Sequence, residues 1–234
     1  MKRLFLVLLL CSPASAQVQQ WNLQDNAAST TVVAAVGTNA TLVGGDNTSA
    51  KSSTGPGGSY ALAFDLNGTD DGVDMSASAL SYTSGQAWSI SIWADFDASS
   101  GPLIGRTTQN PGIVKSSDTV IQVRDGSANT LSFTVPSMGT TSWHHFLITK
   151  TTGNSTRVFM DGAESSSGAQ TLPATFAPQA IGYRNGVFMD GKVSGVKVFA
   201  DDQSANVAAL YAEGFSSGGP IPRVVNYYHR TRNQ

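Results

Sequence analysis

Apolar and polar positions alternate along most of this chain, and the period of two is that of half-buried strands. Leu62, Phe64 and Leu66 fall on one face of the 61–66 segment. In WSISIWADFD (88–97), Trp88, Ile90 and Ile92 share one face and Trp93 takes the other. A strand apolar on both sides belongs at the centre of a sandwich. Trp143, His145 and Leu147 alternate with His144, Phe146 and Ile148. Arg157 to Met160, followed by Asp161-Gly162, predicts a strand and a tight hairpin turn. Asn67-Gly68 and Asp71-Gly72 are further turn dipeptides, after which Val73 and Met75 resume a strand. Residues 17–50 alternate moderately and predict two or three strands. Helical spacing occurs near the end, where Val207, Leu210 and Tyr211 follow a capping residue at Ser204. The pattern predicts an all-β fold, an antiparallel sandwich of two sheets with one short helix near the C-terminus.

Composition supports that picture. Charged residues make up 13% of the 234 residues, with Ser, Thr, Asn and Gly in the remaining polar positions, while 40% apolar residues argue against a disordered chain. The length suits one large sandwich, and no internal repeat is visible. Residues 1–16 predict a signal peptide: Lys2 and Arg3, then apolar Leu4 to Leu10, then Ala14-Ser15-Ala16 as a cleavage site. The apolar run is too short for a stable transmembrane anchor. Lipoprotein processing at Cys11 competes with this reading, but Leu10 stands where a small residue is wanted. The expected destination is extracellular or periplasmic. Cys11, the only cysteine, leaves with the signal. The mature chain then carries 12 basic against 16 acidic side chains, a formal charge of −4, which gives no nucleic-acid footprint. The domain is expected over residues 17–214, followed by a linker and a basic tail over 215–234.

Six phrases in fixed order carry a family resemblance: ALAFDLNGTDDGVDM (61–75), WSISIWADFD (88–97), SWHHFLITK (142–150), RVFMDGA (157–163), FMDGKVSGVKVF (188–199) and ANVAALYAEG (205–214). Together they resemble the laminin-G-like, concanavalin A-like lectin/glucanase superfamily, which implies a jelly-roll sandwich. The counterparts of the family phrases are Phe64-Asp65, Ile90-Ser91-Ile92-Trp93, Trp143-His144-His145, Phe159-Met160-Asp161-Gly162, Gly191 to Gly195 and Leu210-Tyr211. The chain departs from the family at Ser194-Gly195, where an acidic pair is common, and early in the domain, where a frequent aspartate is missing. Both departures weigh against the calcium that the resemblance implies.

The acidic loop Asp65, Asn67, Asp70, Asp71 and Asp74 offers oxygen ligands on a bending backbone, and at most one weakly held calcium is expected there. The bland alternative is a solvated loop whose Asp and Asn serve turn geometry. His144 and His145 point to opposite faces of a strand and are read as structural. Gly214 to Gly218 matches G-x-S-x-G, but without the strand–turn–helix setting of a nucleophile elbow. The superfamily's glucanases use paired carboxylates on one strand. The mature chain has only Glu164 and Glu213, and no aspartates at suitable spacing on a strand interior, so an enzyme is the weakest reading.

A secreted, non-enzymatic recognition module for carbohydrate is the first reading. Arg106, Gln109 and Asn110, with Tyr183, Arg184 and Asn185, supply the guanidinium, amide and aromatic groups that sugar sites use. A structural subunit of an extracellular or virus-like assembly is the second. There the tail, with Arg223, Tyr227, Tyr228, His229, Arg230 and Arg232, would dock on a neighbouring subunit and permit oligomers.

Overall fold

A computed structural model describes residues 17–106 and 110–214. The predicted signal peptide, Gln109, the tail, and the G-x-S-x-G match beyond Gly214 lie outside the described residues. The principal strands are β1 (Gln17–Trp21), β2 (Ala40–Val43), β3 (Ser52–Gly57), β4 (Tyr60–Asn67), β5 (Gly72–Asp74), β6 (Trp88–Phe96), β7 (Gly101–Gly105), β8 (Gly112–Ser117), β9 (Val120–Arg124), β10 (Thr130–Thr134), β11 (Trp143–Lys150), β12 (Ser155–Met160), β13 (Ala180–Ile181) and β14 (Asp190–Phe199). All pair antiparallel.

Two sheets form the sandwich. The larger runs β12–β11–β6–β14–β1 and ends on the short edge strand Ala34–Val36, with β4 and β3 also joined through β14. The smaller runs β10–β9–β8–β7–β13–β5–β2 and ends on Thr31–Val32. β14 explains the fork in the larger sheet. Its first half pairs β4 from Asp190 to Val193, and its second half pairs β1 from Val196 to Phe199. Gly195, between the halves, has φ of 56°, and a Cβ there would lie within 2.6 Å of the Tyr60 ring. Only glycine fits this irregularity.

The alternation seen in the sequence fills the space between the sheets. Phe64, Trp88, Ile90, Ile92, Phe96, Phe146 and Ile148 of the larger sheet meet Ile104, Ile113, Ile121 and Phe133 of the smaller. Trp88 stacks on Phe176 with centroids 4.4 Å apart. The outer face of the larger sheet is also covered. The helix Val207–Ala212 lays Leu210 and Val207 on Leu147, Phe159 and Phe199. The expected helix begins with a 3-10 turn at Ser204–Asn206. A second helical turn, Thr48–Lys51, is additional; its cap, Asn47, accepts a hydrogen bond from the Ala50 amide at 2.9 Å. The Asp161-Gly162 hairpin has the predicted geometry, with φ of 50° and 83° at its two central residues.

The adjacent histidines of β11 face opposite ways, as their strand requires. His144 Nδ1 lies 2.7 Å from the Asp161 carboxylate and Nε2 lies 2.8 Å from the Met138 carbonyl. The Asp161 hydrogen bond holds His144 above its ordinary pKa despite burial. His145 is fully buried, with Nε2 2.8 Å from Ser91 Oγ, and burial pushes its pKa to about 3. Between pH 6.5 and 3 the unfolded chain therefore binds a proton at His145 that the folded protein refuses. Stability from this residue is full above pH 6.5 and falls with acidification by up to about 1.4 kcal/mol per pH unit. His144 acts oppositely: its contribution is present below the unfolded pKa and fades as pH rises through the folded one. Melting curves from pH 7 to pH 4 should flatten in His145→Gln relative to wild type. An unchanged acid slope would remove His145 as its cause.

Candidate functional site

One end of the smaller sheet gathers long polar side chains. Ile104, Ile113 and Val123 face the core, so Gly105, Gly112 and Arg124 beside them face outward. The short hairpin of Tyr183–Arg184 and Val187–Phe188 folds over this outer surface. It approaches closely because two glycines lie beneath it: a Cβ on Gly105 would fall 2.5 Å from Arg184 Cβ, and one on Gly112 would fall 2.6 Å from Arg184 Cδ. Arg184 thus runs across the sheet and donates to Asn110 Oδ1. The Asn185 amide donates to the Arg106 carbonyl at 2.9 Å. Arg106 Nε donates to Gln179 Oε1 at 3.0 Å.

An open cavity of about 350 Å³ adjoins these groups, lined by Ser84, Arg106, Pro111, Ser127, Thr175 and Ala177 among others. Its far wall is cross-linked by hydrogen bonds. The buried Asp125 carboxylate accepts from the amides of Ser127, Asn129 and Ala174 and from the Asn129 side chain, which ties the 125–129 loop to the 174 segment.

The structure therefore brings Arg106, Asn110, Arg184 and Asn185 to one place, and Gln109 lies outside the described residues. Tyr183 has a different situation from the one its residue type suggests. It is 6% exposed, stacks on Phe188 at 5.7 Å and packs over Gly72, and burial pushes its hydroxyl up to about 12. It supports the hairpin and offers no open ring to a ligand. Arg124, Gln122 and Gln179 join the cluster without having been expected. The alternation of VIQVR, with Ile121 and Val123 inward, was the signal that could have found Gln122 and Arg124.

The acidic loop is divided by the fold. β4 belongs to the larger sheet and β5 to the smaller, so residues 68–71 cross between sheets. Asp65 lies on the outer face of the larger sheet opposite Lys192, and Asp74 lies on β5, capping the Ser76 amide at 2.8 Å. Asn67 Oδ1 accepts from the amides of Thr69 and Asp70, and its amide group donates to Asp70. Asp71 is fully buried and meets Lys51 Nζ at 2.5 Å; Lys51 also reaches Asp46 at 2.8 Å. Burial opposes charge on Lys51, but the bonds and charges of Asp46 and Asp71 more than offset it and hold its pKa above the ordinary value. An ammonium group already supplies the positive charge at this loop, and no three carboxylate, histidine or cysteine side chains converge among the described residues. The five donors do not fit one calcium ion. A tight site would add about 2.7 kcal/mol at a hundredfold excess of ligand over Kd. Melts with excess calcium and with chelator are expected to coincide.

A search of characterised proteins by sequence gives no match. Among solved structures, domain 4 of AbnA, a GH43 extracellular arabinanase from Geobacillus stearothermophilus in complex with arabinotriose, superposes with a TM-score of 0.57 at 19% identity. That match covers 84% of this chain and 98% of the domain. Trypanosoma rangeli sialidase, in complex with 2,3-difluorosialic acid, gives a TM-score of 0.56 at 15% identity over 85% of this chain. This chain spans 33% of that sialidase chain. These likenesses establish the fold. The model of the concanavalin A-like lectin/glucanases superfamily matches residues 67–206, from the crossing loop through β14 to the last helix. The chain belongs to the concanavalin A-like lectin/glucanase superfamily.

Proposed function

We propose that this protein is a secreted, non-enzymatic module that recognises carbohydrate at the Arg106–Arg184 end of its smaller sheet. The observation that carries the reading is the convergence there of two guanidinium groups, the Asn110 and Gln179 amides and an open cavity with a braced wall. Sugars are bound by planar hydrogen-bonding groups held in fixed geometry, and this cluster supplies them on paired strands. The arabinotriose-bound arabinanase domain, which has the same fold, makes carbohydrate a reasonable ligand class. The two glutamates also favour binding over hydrolysis: Glu213 is held by Lys197 and Tyr60, and Glu164 lies near Arg157. A broad glycan array probed with wild type and with Arg106→Ala tests the proposal. Binding to a defined saccharide that weakens at least about tenfold in the variant is expected, a loss of about 1.4 kcal/mol. Binding that is absent throughout, or indifferent to Arg106, overturns it.

A second reading, a structural subunit docked through its tail, has one observation in its favour. The edge strand Ala34–Val36 adjoins a groove of about 220 Å³, and Val33 and Val36 are 56% and 38% exposed. Gly214, the last residue before the linker and tail, lies near that groove, since Ser59 bonds both Glu213 and Gln24. An edge strand with no further strand beside it among the described residues accepts an added one, and Val224, Val225, Tyr227 and Tyr228 supply the apolar residues for one. Light scattering across a concentration series, with and without residues 221–234, decides it. Assembly lost on deletion supports this reading; a monomer in both rejects it.

A further inference from the structure

Three half-buried arginines, Arg106, Arg124 and Arg184, cluster at this end of the smaller sheet, and none has a carboxylate within salt-bridge distance among the described residues. Arg184 passes over Gly112, and Gly112 is the direct cross-strand neighbour of Arg124. The two guanidinium groups are therefore close. Burial first, and the Arg124 charge second, push the Arg184 pKa below its ordinary value. Each of the two has its Nε buried with no acceptor among the described residues, although Arg124 reaches Gln122 Oε1 at 2.6 Å and Arg184 reaches Asn110. The nearby carboxylates are occupied. Asp125 is filled by the loop donors described above, and Asp74 caps Ser76.

Holding two like charges together, partly out of water and without a counter-charge, costs stability. The cost has no return within the described protein. It is offset if an anion completes the pair, because guanidinium groups bind carboxylates and sulfates through paired, charge-assisted hydrogen bonds. The cavity places an extended binding surface alongside. Pro111 in its wall follows Asn110, the Arg184 partner, and Gly126 and Ser127 lie just beyond Arg124 on the chain.

We propose that the ligand of this site is an anionic saccharide, its acid group held by Arg124 and Arg184 and an adjoining sugar unit resting in the cavity against Arg106. The inference rests on the carbohydrate reading above and adds the charge of the ligand and the role of Arg124. A neutral saccharide would leave the arginine pair uncompensated; an acidic one supplies the missing counter-charge to the outward-facing ends of the two guanidinium groups.

Titration calorimetry of the whole protein tests this with three probes: an oligogalacturonide, its carboxyl-reduced neutral counterpart, and a heparin hexasaccharide. Arg124→Gln and Arg184→Gln are measured alongside, with melting curves to check folding. Arg124→Lys keeps the charge but loses the fork. The expected result is that at least one acidic probe binds about tenfold or more tightly than the neutral one. That advantage should vanish in both glutamine variants, shrink in Arg124→Lys and weaken as salt rises. Preference for the oligogalacturonide identifies a carboxylate, and preference for heparin identifies a sulfate. Equal binding of acidic and neutral probes overturns the anionic inference while the carbohydrate reading stands. So does an acidic preference that survives both glutamine variants in folded protein. Failure of these probes and of the whole glycan array overturns both.

Discussion

Replacing Trp93 by alanine should destabilise the protein by about 3–5 kcal/mol in urea unfolding, although Trp93 points away from the main core. The indole is 1% exposed on the outer face of β6. It stacks on Tyr211 of the last helix with centroids 5.7 Å apart and borders His145 at 5.1 Å. Gly214 packs so closely that a Cβ there would lie 2.2 Å from Trp93 Cζ2. Truncation therefore opens a cavity under the last helix and loosens its end. Phe64→Ala should cost a similar amount by a different route, since Phe64 lies between the sheets. The Trp93 variant should also expose residues 207–214 to protease before the sandwich unfolds, and the Phe64 variant should not. A loss below about 1 kcal/mol for Trp93→Ala would contradict its burial.

Lys51→Met is the second large effect. Asp71 is fully buried, and its Oδ2 meets the Lys51 ammonium at 2.5 Å and the Asn67 amide at 3.1 Å. Removing the ammonium leaves a buried carboxylate without its counter-charge, a change that costs about 3–5 kcal/mol. Asp71→Asn in the same background should recover part of the loss, because the neutral amide no longer needs the lysine. The two changes are then strongly non-additive in a double-mutant cycle. If Lys51→Met were harmless, the crossing loop would not depend on this pair. If calcium rescued the variant but not wild type, the loop's oxygens would be able to hold a cation once the lysine is gone.

The strands were legible in the chain because burial between two sheets imposes a period of two. Phe64, Ile90 and Ile148 announce their faces by spacing alone. The turn at Asp161-Gly162 was legible for an equally local reason: both residues tolerate positive φ. The short turn at Thr48–Lys51 was not, because four residues are too few to show a helical period. The acidic loop was misleading for a topological reason. Five Asp and Asn residues in ten positions look convergent, yet the chain changes sheet between Asn67 and Gly72, which sends Asp65 and Asp74 apart. Buried Lys51 comes from a separate segment, and nothing in the loop's own sequence predicts it.

The site was half legible. Arg106, Asn110, Arg184 and Asn185 were visible as polar loop groups, but their meeting depends on the hairpin over Gly105 and Gly112, a non-local contact. Tyr183 shows the converse: an aromatic beside polar residues resembles a sugar platform until the fold presses it onto Phe188 and Gly72. Arg124 was overlooked because a charged residue at a strand end ordinarily means only solvent exposure. Its significance comes from Arg184, sixty residues later in the chain.

Recognition at the arginine-bearing end of the smaller sheet is the central claim, and mapping the ligand on the protein tests it most directly. An amide correlation spectrum should be recorded while the protein is titrated with the saccharide that binds best on the array. The expected shifts concentrate at Arg106, Arg124 to Ser127, Thr175 to Ala177 and Arg184 to Asn185. Shifts confined to the groove beside Ala34–Val36 or to the helix-covered face around Trp93, with this end of the sheet silent, would contradict the account.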